Sequence, residues 1–234
     1  KVTNDFSLVK KLDVIIFCLP TPLKNNKPDL SYIRVTLKKI KKFLKKDQLF
    51  ILESTSYPGT TEEEICNPLR KKFKLGKNFY VSFSPERDDP GRKIVSYKVP
   101  RIVSGYTDKC KNLSKKLYKH IFKEIVEADT VKIAEMAKIY ENVYRAVNIG
   151  LVNELKKISH KMNIDFHKVI EAAKTKPYGF SAFYPGPGLG GHCIPIDPFY
   201  LSWKAKQDGI KTEFIELSGK INKSMPGWVI KILM

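Results

Sequence analysis

The first 128 residues alternate between short apolar runs and segments with helical periodicity. This alternation is typical of a sheet of parallel strands joined by crossover helices. We predict five strands, at residues 13–18, 49–53, 79–83, 101–104 and 124–128. Leu37 and Ile40 mark the buried face of a helix that begins at Ser31, and Thr60 before three glutamates predicts the start of another. Residues 1–128 are therefore expected to form part of a doubly wound, Rossmann-like α/β domain.

After Asp129 the pattern becomes helical throughout. A long helix is predicted from Val131 to about Met162 and a shorter one at residues 165–174. A loop rich in glycine and proline follows, and two further helices are predicted from about Asp197 and Thr212. This half of the chain is expected to be an all-helical domain.

Three of the predicted strands are followed by polar loops, at residues 19–22, 54–60 and 84–91. Open α/β sheets bind ligands beyond the carboxyl ends of their strands. Thr21, Pro22, Ser54 and Thr55 are therefore candidate ligand contacts. Ordinary turn composition is the better explanation for any one such loop alone, so the prediction rests on three loops meeting at one edge.

The formal net charge of +19 raises the possibility of a nucleic-acid partner. Only six of the 43 basic residues are arginine, and the lysines are scattered over amphipathic helical patterns. We therefore expect a lysine-rich solvated surface that attracts anionic small molecules, and no nucleic-acid partner. The longest apolar runs are too short to cross a bilayer, so no membrane association is expected.

The four cysteines, at positions 18, 66, 110 and 193, show neither a disulfide nor a metal-ligand pattern. This usage fits a reducing cytoplasm, and we expect no metal site. A small buried side chain is the default interpretation for the first three. Cys193 differs because four glycines between residues 186 and 191 precede it and a predicted helix follows. A helix N-terminus favours thiolate, so Cys193 is predicted to be reactive.

Residues 188–204, GLGGHCIPIDPFYLSWK, resemble the catalytic-cysteine segment of the UDP-glucose and GDP-mannose dehydrogenase family, and more closely its UDP-N-acetylhexosamine 6-dehydrogenase branch. The resemblance extends over essentially the whole chain. It implies an enzyme that oxidises a primary alcohol to a carboxylic acid with two molecules of NAD. Cys193 stands at the position of the nucleophile, which forms a thiohemiacetal and then a thioester.

The same resemblance covers residues 134–142, AEMAKIYEN, which match a segment with a catalytic lysine and asparagine. Their spacing puts Lys138 and Asn142 on one helix face, where both can act on the sugar oxygen. A lone lysine on a helix is otherwise usually a solvated side chain. Asp197 matches an acidic position that organises the reacting water and the lysine.

Glu86 matches the family's glutamate for acid or base work in thioester hydrolysis, provided that its surroundings move its pKa toward neutrality. Thr55 matches a threonine that holds the reacting water, and a turn-forming role is its alternative. The resemblance implies further substrate contacts from Arg87, Lys176, Tyr184, Gly186 and Gly190. Among these, Lys176 stands in for an arginine that reaches across a dimer interface. Cys193 is also expected to lie against the cofactor.

One departure bears on the substrate. Family members that oxidise UDP-glucose typically continue Phe-Leu-x-Glu-Gly after the Pro-Glu pair, whereas residues 87–91 read RDDPG here. This difference favours an N-acetylated sugar, with UDP-N-acetylglucosamine first and UDP-N-acetylmannosamine second. UDP-glucose remains the other alternative.

The resemblance also predicts how the chain is organised. A glycine-rich turn for the pyrophosphate and an acidic residue for the ribose are not in this sequence. The resemblance implies that the family carries both in a preceding segment, so the chain as given is expected to hold part of the site and to bind NAD poorly or not at all. Residues 129–225 would form the central domain, a homodimer through its long helix, and residues 226–234 would begin a UDP-binding domain.

Two rival hypotheses remain. In the first hypothesis the chain is a noncatalytic interaction module, and Cys193 reacts no faster than Cys66. In the second the chain is a basic nucleic-acid binder, and its affinity for a duplex falls steeply as the salt concentration rises.

Overall fold

A computed structural model describes residues 2–88, 95–191 and 193–234. The chain divides into two compact units, Lys1–Ile139 and Tyr140–Met234. The division predicted from the sequence, after residue 128, precedes the start of a helix that runs from the first unit into the second.

The first unit is built on a five-stranded sheet. The described strands are β1 (Val14–Phe17), β2 (Leu23–Lys24), β3 (Lys27–Pro28), β4 (Leu49–Leu52), β5 (Tyr80–Phe83), β6 (Arg101–Gly105) and β7 (Ile125–Glu127). The sheet order is β1-β4-β5-β6-β7, while β2 and β3 form a separate hairpin. All five strands predicted from the sequence are confirmed.

Strand direction differs from the prediction at one pair. Three neighbouring pairs are parallel, but β5 and β6 are antiparallel, with Ser82 opposite Gly105 and Phe83 opposite Ser104. A parallel pair needs a long crossover, usually a helix, whereas an antiparallel pair does not. Among the described residues between β5 and β6, the regular structure is a single 3₁₀ turn, Ser96–Lys98. The first residues of β6 therefore lie at the carboxyl end of β5.

Helices cover this sheet. They are α1 (Ser31–Ile40), α2 (Asn67–Arg70), α3 (Asp108–Tyr118) and the first part of α4 (Val131–Lys161), with 3₁₀ segments at Phe6–Lys11 and Lys41–Phe43 and a π-helical segment at Thr61–Cys66. Every residue of β4 and β5 is buried, as expected for strands covered on both faces. Ile51 and Val103 pack with Cys110 and Tyr118 of α3 in the core.

The helix predicted at Thr60 begins there, but its cap differs from the prediction. The Thr60 hydroxyl donates to the Tyr57 carbonyl at 2.6 Å and does not cap the helix. The Glu135 carboxylate from α4 accepts the Gly59 N–H at 2.6 Å and the Thr61 N–H at 2.8 Å. A carboxylate is a stronger acceptor than a hydroxyl, so Glu135 takes over the capping role.

The second unit is helical, as predicted. It contains the rest of α4, α5 (Phe166–Ala173), α6 (Asp197–Gln207) and α7 (Glu213–Leu233), and its described residues include no strand. α7 continues through Pro226, where the sequence predicted a further domain to begin, and that division stays a prediction. In the part of the chain that the structure describes, no helix is long and apolar enough to cross a membrane.

Candidate active site

The loops after β1 and β4 are fastened to each other. The Thr21 hydroxyl donates to the Thr55 carbonyl at 2.7 Å, and the Ser54 hydroxyl accepts the Leu19 N–H at 2.7 Å. Thr21 and Ser54 are buried, whereas Thr55 is half-buried and uses only its backbone in this bond. The predicted meeting of these two loops at one sheet edge is confirmed.

The hairpin of β2 and β3 extends the first of these loops, and the sequence prediction did not include it. Its two-residue turn, Asn25 and Asn26, has φ values of 52° and 57°. Asparagine is one of the few residues that adopt this conformation at low cost, and paired positive φ values are typical of tight hairpin turns. The Asn-Asn pair was therefore the signal. The Pro22 carbonyl accepts the Asp29 N–H at 2.8 Å, which closes the hairpin's base.

Glu86 lies in the loop after β5, at the same edge. Its Oε1 accepts the N–H groups of Arg87 and Asp88, both at 2.8 Å, and its Oε2 accepts an N–H of Arg101 at 2.6 Å. The carboxylate is thus fixed, yet the side chain is 52% exposed. The Arg87 guanidinium donates to the Pro100 carbonyl at 2.7 Å.

Arg101, the first residue of β6, is the centre of this edge and was not predicted. Its side chain is 2% exposed and forms an ion pair with Glu53 at 2.6 Å in addition to the one with Glu86. It also donates to the Ser84 hydroxyl at 2.8 Å and to the Ser84 carbonyl at 3.0 Å. The sequence feature that could have indicated this ion pair was an arginine at the start of one apolar strand and a glutamate at the end of another. Such charged residues are rarely buried unless they are paired.

The pKa of Glu86 moves away from neutrality. Partial burial alone would raise it, but the hydrogen bond and charge of Arg101 and the two backbone N–H donors lower the pKa below its ordinary value. Glu86 is therefore ionised at neutral pH. The sequence predicts a role for Glu86 as acid or base on the condition that its pKa moves toward neutrality, and this condition is not met.

The cysteines of the first unit follow the prediction in part. Cys66 and Cys110 are buried as predicted, and burial raises the pKa of Cys66 to about 12. Cys18 is exposed, so its predicted burial is wrong; it lies just past the end of the edge strand β1. Its thiol donates to Glu53 at 3.4 Å, and burial of the sulfur with the nearby Glu53 charge raises its pKa to about 11. A raised pKa disfavours the thiolate of Cys18 and of Cys66.

In the second unit, two predicted site residues meet. The Asn142 side-chain amide donates to the Asp197 carboxylate at 2.6 Å, and both side chains are buried. Lys138, the residue one turn before Asn142 in α4, belongs to the first unit and is buried, so the interpretation of Lys138 as a solvated lysine is wrong. Burying a charged group is costly unless the group is paired and hydrogen-bonded.

Cys193 lies at the entrance to α6. Its carbonyl accepts the Ile196 N–H at 3.1 Å and the Asp197 N–H at 2.8 Å, which forms the turn that leads into the helix. The Cys193 residue is exposed. The exposed thiol and the buried Asn142–Asp197 pair are therefore joined through the first turn of α6.

The glycine-rich loop before Cys193 is anchored to two helices of the second unit. The Gly186 N–H donates to Asn153 of α4 at 3.0 Å, and Asn153 donates to Asn222 of α7 at 2.8 Å. Gly188 has a φ of +122°, and a Cβ there would lie 3.2 Å from the Asn222 carbonyl oxygen. Gly191 also has a positive φ, of +79°. The backbone conformation at these two positions favours glycine.

The other predicted substrate contacts of this loop are on the surface. Lys176, Tyr184 and Gly190 are exposed, and the Tyr184 hydroxyl donates to Glu171 at 2.9 Å. The predicted contacts Thr21, Pro22, Ser54, Thr55, Glu86, Arg87 and Lys138 lie in the first unit, and the remainder lie in the second. The substrate argument from residues 87–91 includes Asp89, Pro90 and Gly91, which lie outside the described residues, as does His192. Within the described ranges, no three His, Cys, Asp or Glu side chains are grouped as metal ligands.

These features define the class of protein: an α/β unit with polar loops at the carboxyl ends of its first strands, followed by a helical unit with an exposed cysteine. Family models match both parts. Residues 1–122 match the NAD binding domain and residues 132–224 match the central domain of the UDP-glucose/GDP-mannose dehydrogenase family. The chain belongs to this family. The predicted resemblance is confirmed, and the predicted cofactor agrees with the family's NAD binding domain.

Several relatives are known. The chain is 40% identical over 233 residues to Protein CapL of Staphylococcus aureus and 39% identical over 234 residues to UDP-N-acetyl-D-glucosamine 6-dehydrogenase of Pseudomonas aeruginosa, covering 97% of this chain and 54% of each relative. The structure of the UDP-D-ManNAc dehydrogenase from Pyrococcus horikoshii matches with a TM-score of 0.92 and 35% identity, over 100% of this chain and 55% of that one. The chain spans about half the length of the curated relatives it matches.

Proposed function

We propose that the full-length protein containing this chain oxidises the C6 hydroxyl of a UDP-N-acetylhexosamine to a carboxylate, with NAD as oxidant and Cys193 as nucleophile. One observation carries the proposal. The Asn142–Asp197 pair, buried and 2.6 Å apart, is joined by the first turn of α6 to the exposed Cys193. A nucleophile held beside a fixed polar pair is the arrangement that covalent catalysis requires.

In this proposal the carbon at C6 is oxidised twice. The first oxidation breaks one C6–H bond and the O6–H bond and gives an aldehyde. The Cys193 sulfur adds to C6, a C–S bond forms, and O6 becomes the hydroxyl of a thiohemiacetal. In the second oxidation the remaining C6–H bond breaks, O6 loses its proton, and a thioester forms. Water then attacks C6, the C–S bond breaks, and the thiol and the carboxylate are released.

The residues of this chain divide that work. Lys138 and Asn142, one helical turn apart, stabilise the negative charge that develops on O6. Asp197 fixes the Asn142 amide and organises the water. Glu86, ionised and partly exposed, takes the proton of the attacking water, and Thr55 holds that water. NAD supplies a hydride acceptor at each oxidation.

The sheet edge fits a dinucleotide in its position, at the carboxyl ends of β1, β4 and β5. The Thr21 and Ser54 hydroxyls fasten the two loops together, so their role is to hold this edge in shape. The backbone of Pro22 and the hydroxyl of Thr55 are the contacts we assign to the cofactor, together with Cys193.

The substrate class follows from the relatives and from charge. The matched proteins include a UDP-N-acetyl-D-glucosamine 6-dehydrogenase at 39% identity and a UDP-N-acetyl-D-mannosamine dehydrogenase at 37%. UDP-N-acetylglucosamine is therefore the first candidate and UDP-N-acetylmannosamine the second. A net charge of +19 favours the diphosphate. In the second unit, Gly186, Gly190 and Tyr184 form the loop that contacts the sugar nucleotide, and Lys176 reaches it from a second subunit.

The proposed assembly is a homodimer through α4. In the second unit Tyr144, Leu151 and Ile158 follow one another at intervals of seven residues, and all three are exposed. Leu155 and Met162 are exposed on the same stretch. Apolar side chains at this spacing form one stripe, which a second copy of the helix would bury. None of the four cysteines, all of which lie in the described ranges, forms a disulfide, which supports the proposed cytoplasmic location.

The test uses the full-length protein with NAD and each UDP-sugar in turn. We expect two NADH for each sugar oxidised, with an N-acetylated sugar preferred over UDP-glucose. Cys193→Ala should yield no carboxylate, whereas Cys66→Ala, which removes a buried thiol, should retain the stoichiometry. Carboxylate formation by Cys193→Ala at the unaltered rate would show that the nucleophile is wrong. An absence of NADH with every UDP-sugar would refute the activity.

A further inference from the structure

The buried guanidinium of Arg101 is held more firmly than a structural ion pair requires. Of its five N–H donors, one binds the Ser84 hydroxyl, one the Ser84 carbonyl, one Glu86 and one Glu53. Its plane also lies against two aromatic rings, with its carbon 4.8 Å from the Tyr118 ring centre and 5.1 Å from that of Phe122. The orientation of the guanidinium is therefore fixed.

Among the hydrogen bonds of the described residues, three donors are bound to the Glu86 carboxylate. A carboxylate offers about four acceptor positions. On Oε1 two are used by the N–H groups of Arg87 and Asp88, and on Oε2 one is used by Arg101. The fourth position is on Oε2, the oxygen that also accepts an N–H of Arg101, and about half of the Glu86 side chain is exposed to solvent. A water molecule can reach that position.

Two carboxylates share this one cation, and they differ in exposure. The Glu53 side chain is 13% exposed and that of Glu86 is 52% exposed. If Glu86 accepts a proton, Arg101 keeps its ion pair with Glu53. The buried cation is then never left without a counter-ion, which would be strongly unfavourable. Glu86 is the member of this group that can change its charge at low cost.

We propose that Arg101 is a positioning residue for the nucleotide-sugar oxidation, which fixes Glu86 at the sheet edge as an ionised base. This inference rests on the proposed function. Glu86 enters the hydrolysis of the thioester as a proton acceptor: one proton of the attacking water passes to Oε2, the water oxygen bonds to C6, and the C–S bond breaks.

The charged and titratable groups around the Glu86 carboxylate in the first unit are Cys18, Glu53, Arg87, Asp88, Arg101 and Tyr118. The Arg101 side chain contacts the carboxylate directly and carries a positive charge. Replacing it by a neutral residue leaves two carboxylates facing each other, so the Glu86 pKa should rise.

The experiment compares the full-length protein with Arg101→Gln, Arg101→Lys and the control Arg34→Gln. Arg34 of α1 forms a two-bond ion pair with Glu64 of the π-helical segment, at 2.7 and 2.6 Å. Intact-protein mass spectrometry during turnover detects sugar bound to Cys193, and the hydrolysis rate is measured against pH. Circular dichroism shows which variants fold.

We expect Arg101→Gln to accumulate the thioester because hydrolysis slows by about 100-fold, the lower range for loss of a general base. The acid limb of its pH profile should move upward by at least about one pH unit. Arg101→Lys keeps the charge but not the fixed geometry, so it should accumulate the thioester with little change in the acid limb. Arg34→Gln should do neither.

Equal slowing of both oxidations in a folded Arg101 variant, without bound sugar and with an unchanged acid limb, would overturn the inference. If Arg101→Gln does not fold, Arg101→Lys decides by the same measurement. If the parent protein oxidises no UDP-sugar, the proposed function fails, and the Glu86 pKa measured by carboxyl ¹³C NMR in the parent, Arg101→Gln and Arg34→Gln still tests the positioning. A Glu86 pKa that does not rise in Arg101→Gln, or that rises equally in Arg34→Gln, would refute it.

Discussion

Glu135 should give this chain an unusual dependence of stability on pH. Its carboxyl group is 1% exposed and accepts the N–H groups of Gly59 and Thr61 and the Thr61 hydroxyl, the last at 2.7 Å. Burial raises the pKa of Glu135 from 4.5 to about 7, although these three donors act in the opposite direction. The perturbation that isolates this group is Glu135→Gln, which removes the titration and keeps the size of the side chain.

The sign follows from proton uptake. In the unfolded chain Glu135 loses its proton near pH 4.5, and in the folded chain near pH 7. Between these values the folded state binds more protons, so stability decreases as the pH rises. The stabilising contribution of the protonated form is fully present below about pH 4.5 and lost above about pH 7. A pKa difference of this size corresponds to about 3 kcal/mol.

The assay is urea unfolding of the parent chain and of Glu135→Gln from pH 4 to pH 8, with the free energy of unfolding compared at each pH. The difference between the two cancels the titration of all other groups. We expect the parent to lose about 3 kcal/mol relative to Glu135→Gln across the window. The reasoning would be refuted if the free energy of unfolding of the parent minus that of Glu135→Gln stayed constant or rose with pH. Such a result would show that the three hydrogen-bond donors outweigh burial in setting the Glu135 pKa.

Three further predictions concern the second unit. Leu151→Glu should convert a dimer of the full-length protein to a monomer in analytical ultracentrifugation, because it places a charge in the exposed stripe of α4; an unchanged mass would exclude this helix face. Asn142→Ala should lower the free energy of unfolding by about 1–3 kcal/mol in urea titrations, because a buried hydrogen bond to Asp197 is lost. Gly188→Ala should lower the free energy of unfolding by about 1–3 kcal/mol because Gly188 has a positive φ. Gly190→Ala should leave it nearly unchanged, because a Cβ at Gly190 would meet no described atom within 4 Å. Equal losses of stability in chemical denaturation would contradict the backbone constraint assigned to Gly188.

The features predictable from sequence are those that a short stretch determines. The runs that became β1 and β4 are apolar and bounded by turn residues. All four residues of β4 are buried, whereas the edge strand β1 is buried at two of its four positions. The helix from Val131 extends to Lys161, one residue short of the predicted end. A glycine at position 188 allows a positive φ, and Gly188 adopts one. Each of these depends on neighbours along the chain.

Contacts between distant residues were not predictable in this way. Asn142 and Asp197 are separated by 55 positions, and no periodicity links them. Both were chosen because each matched a family motif, and the structure adds that they bond to each other. The Glu135 cap was missed for the same reason, since the local pattern at Thr60 supplied a plausible but incorrect partner.

The direction of one strand explains why Arg101 was missed. A parallel β6 would place its first residue at the amino end of the sheet, away from the loop after β5. Because β6 is antiparallel to β5, Arg101 lies beside Glu86 and opposite the end of β4, where Glu53 is found. Strand direction is set by the connection and the packing, and the apolar pattern of a strand reads the same both ways. The pair of charges at two strand ends was therefore visible in the sequence, but only the reversal of β6 makes them partners.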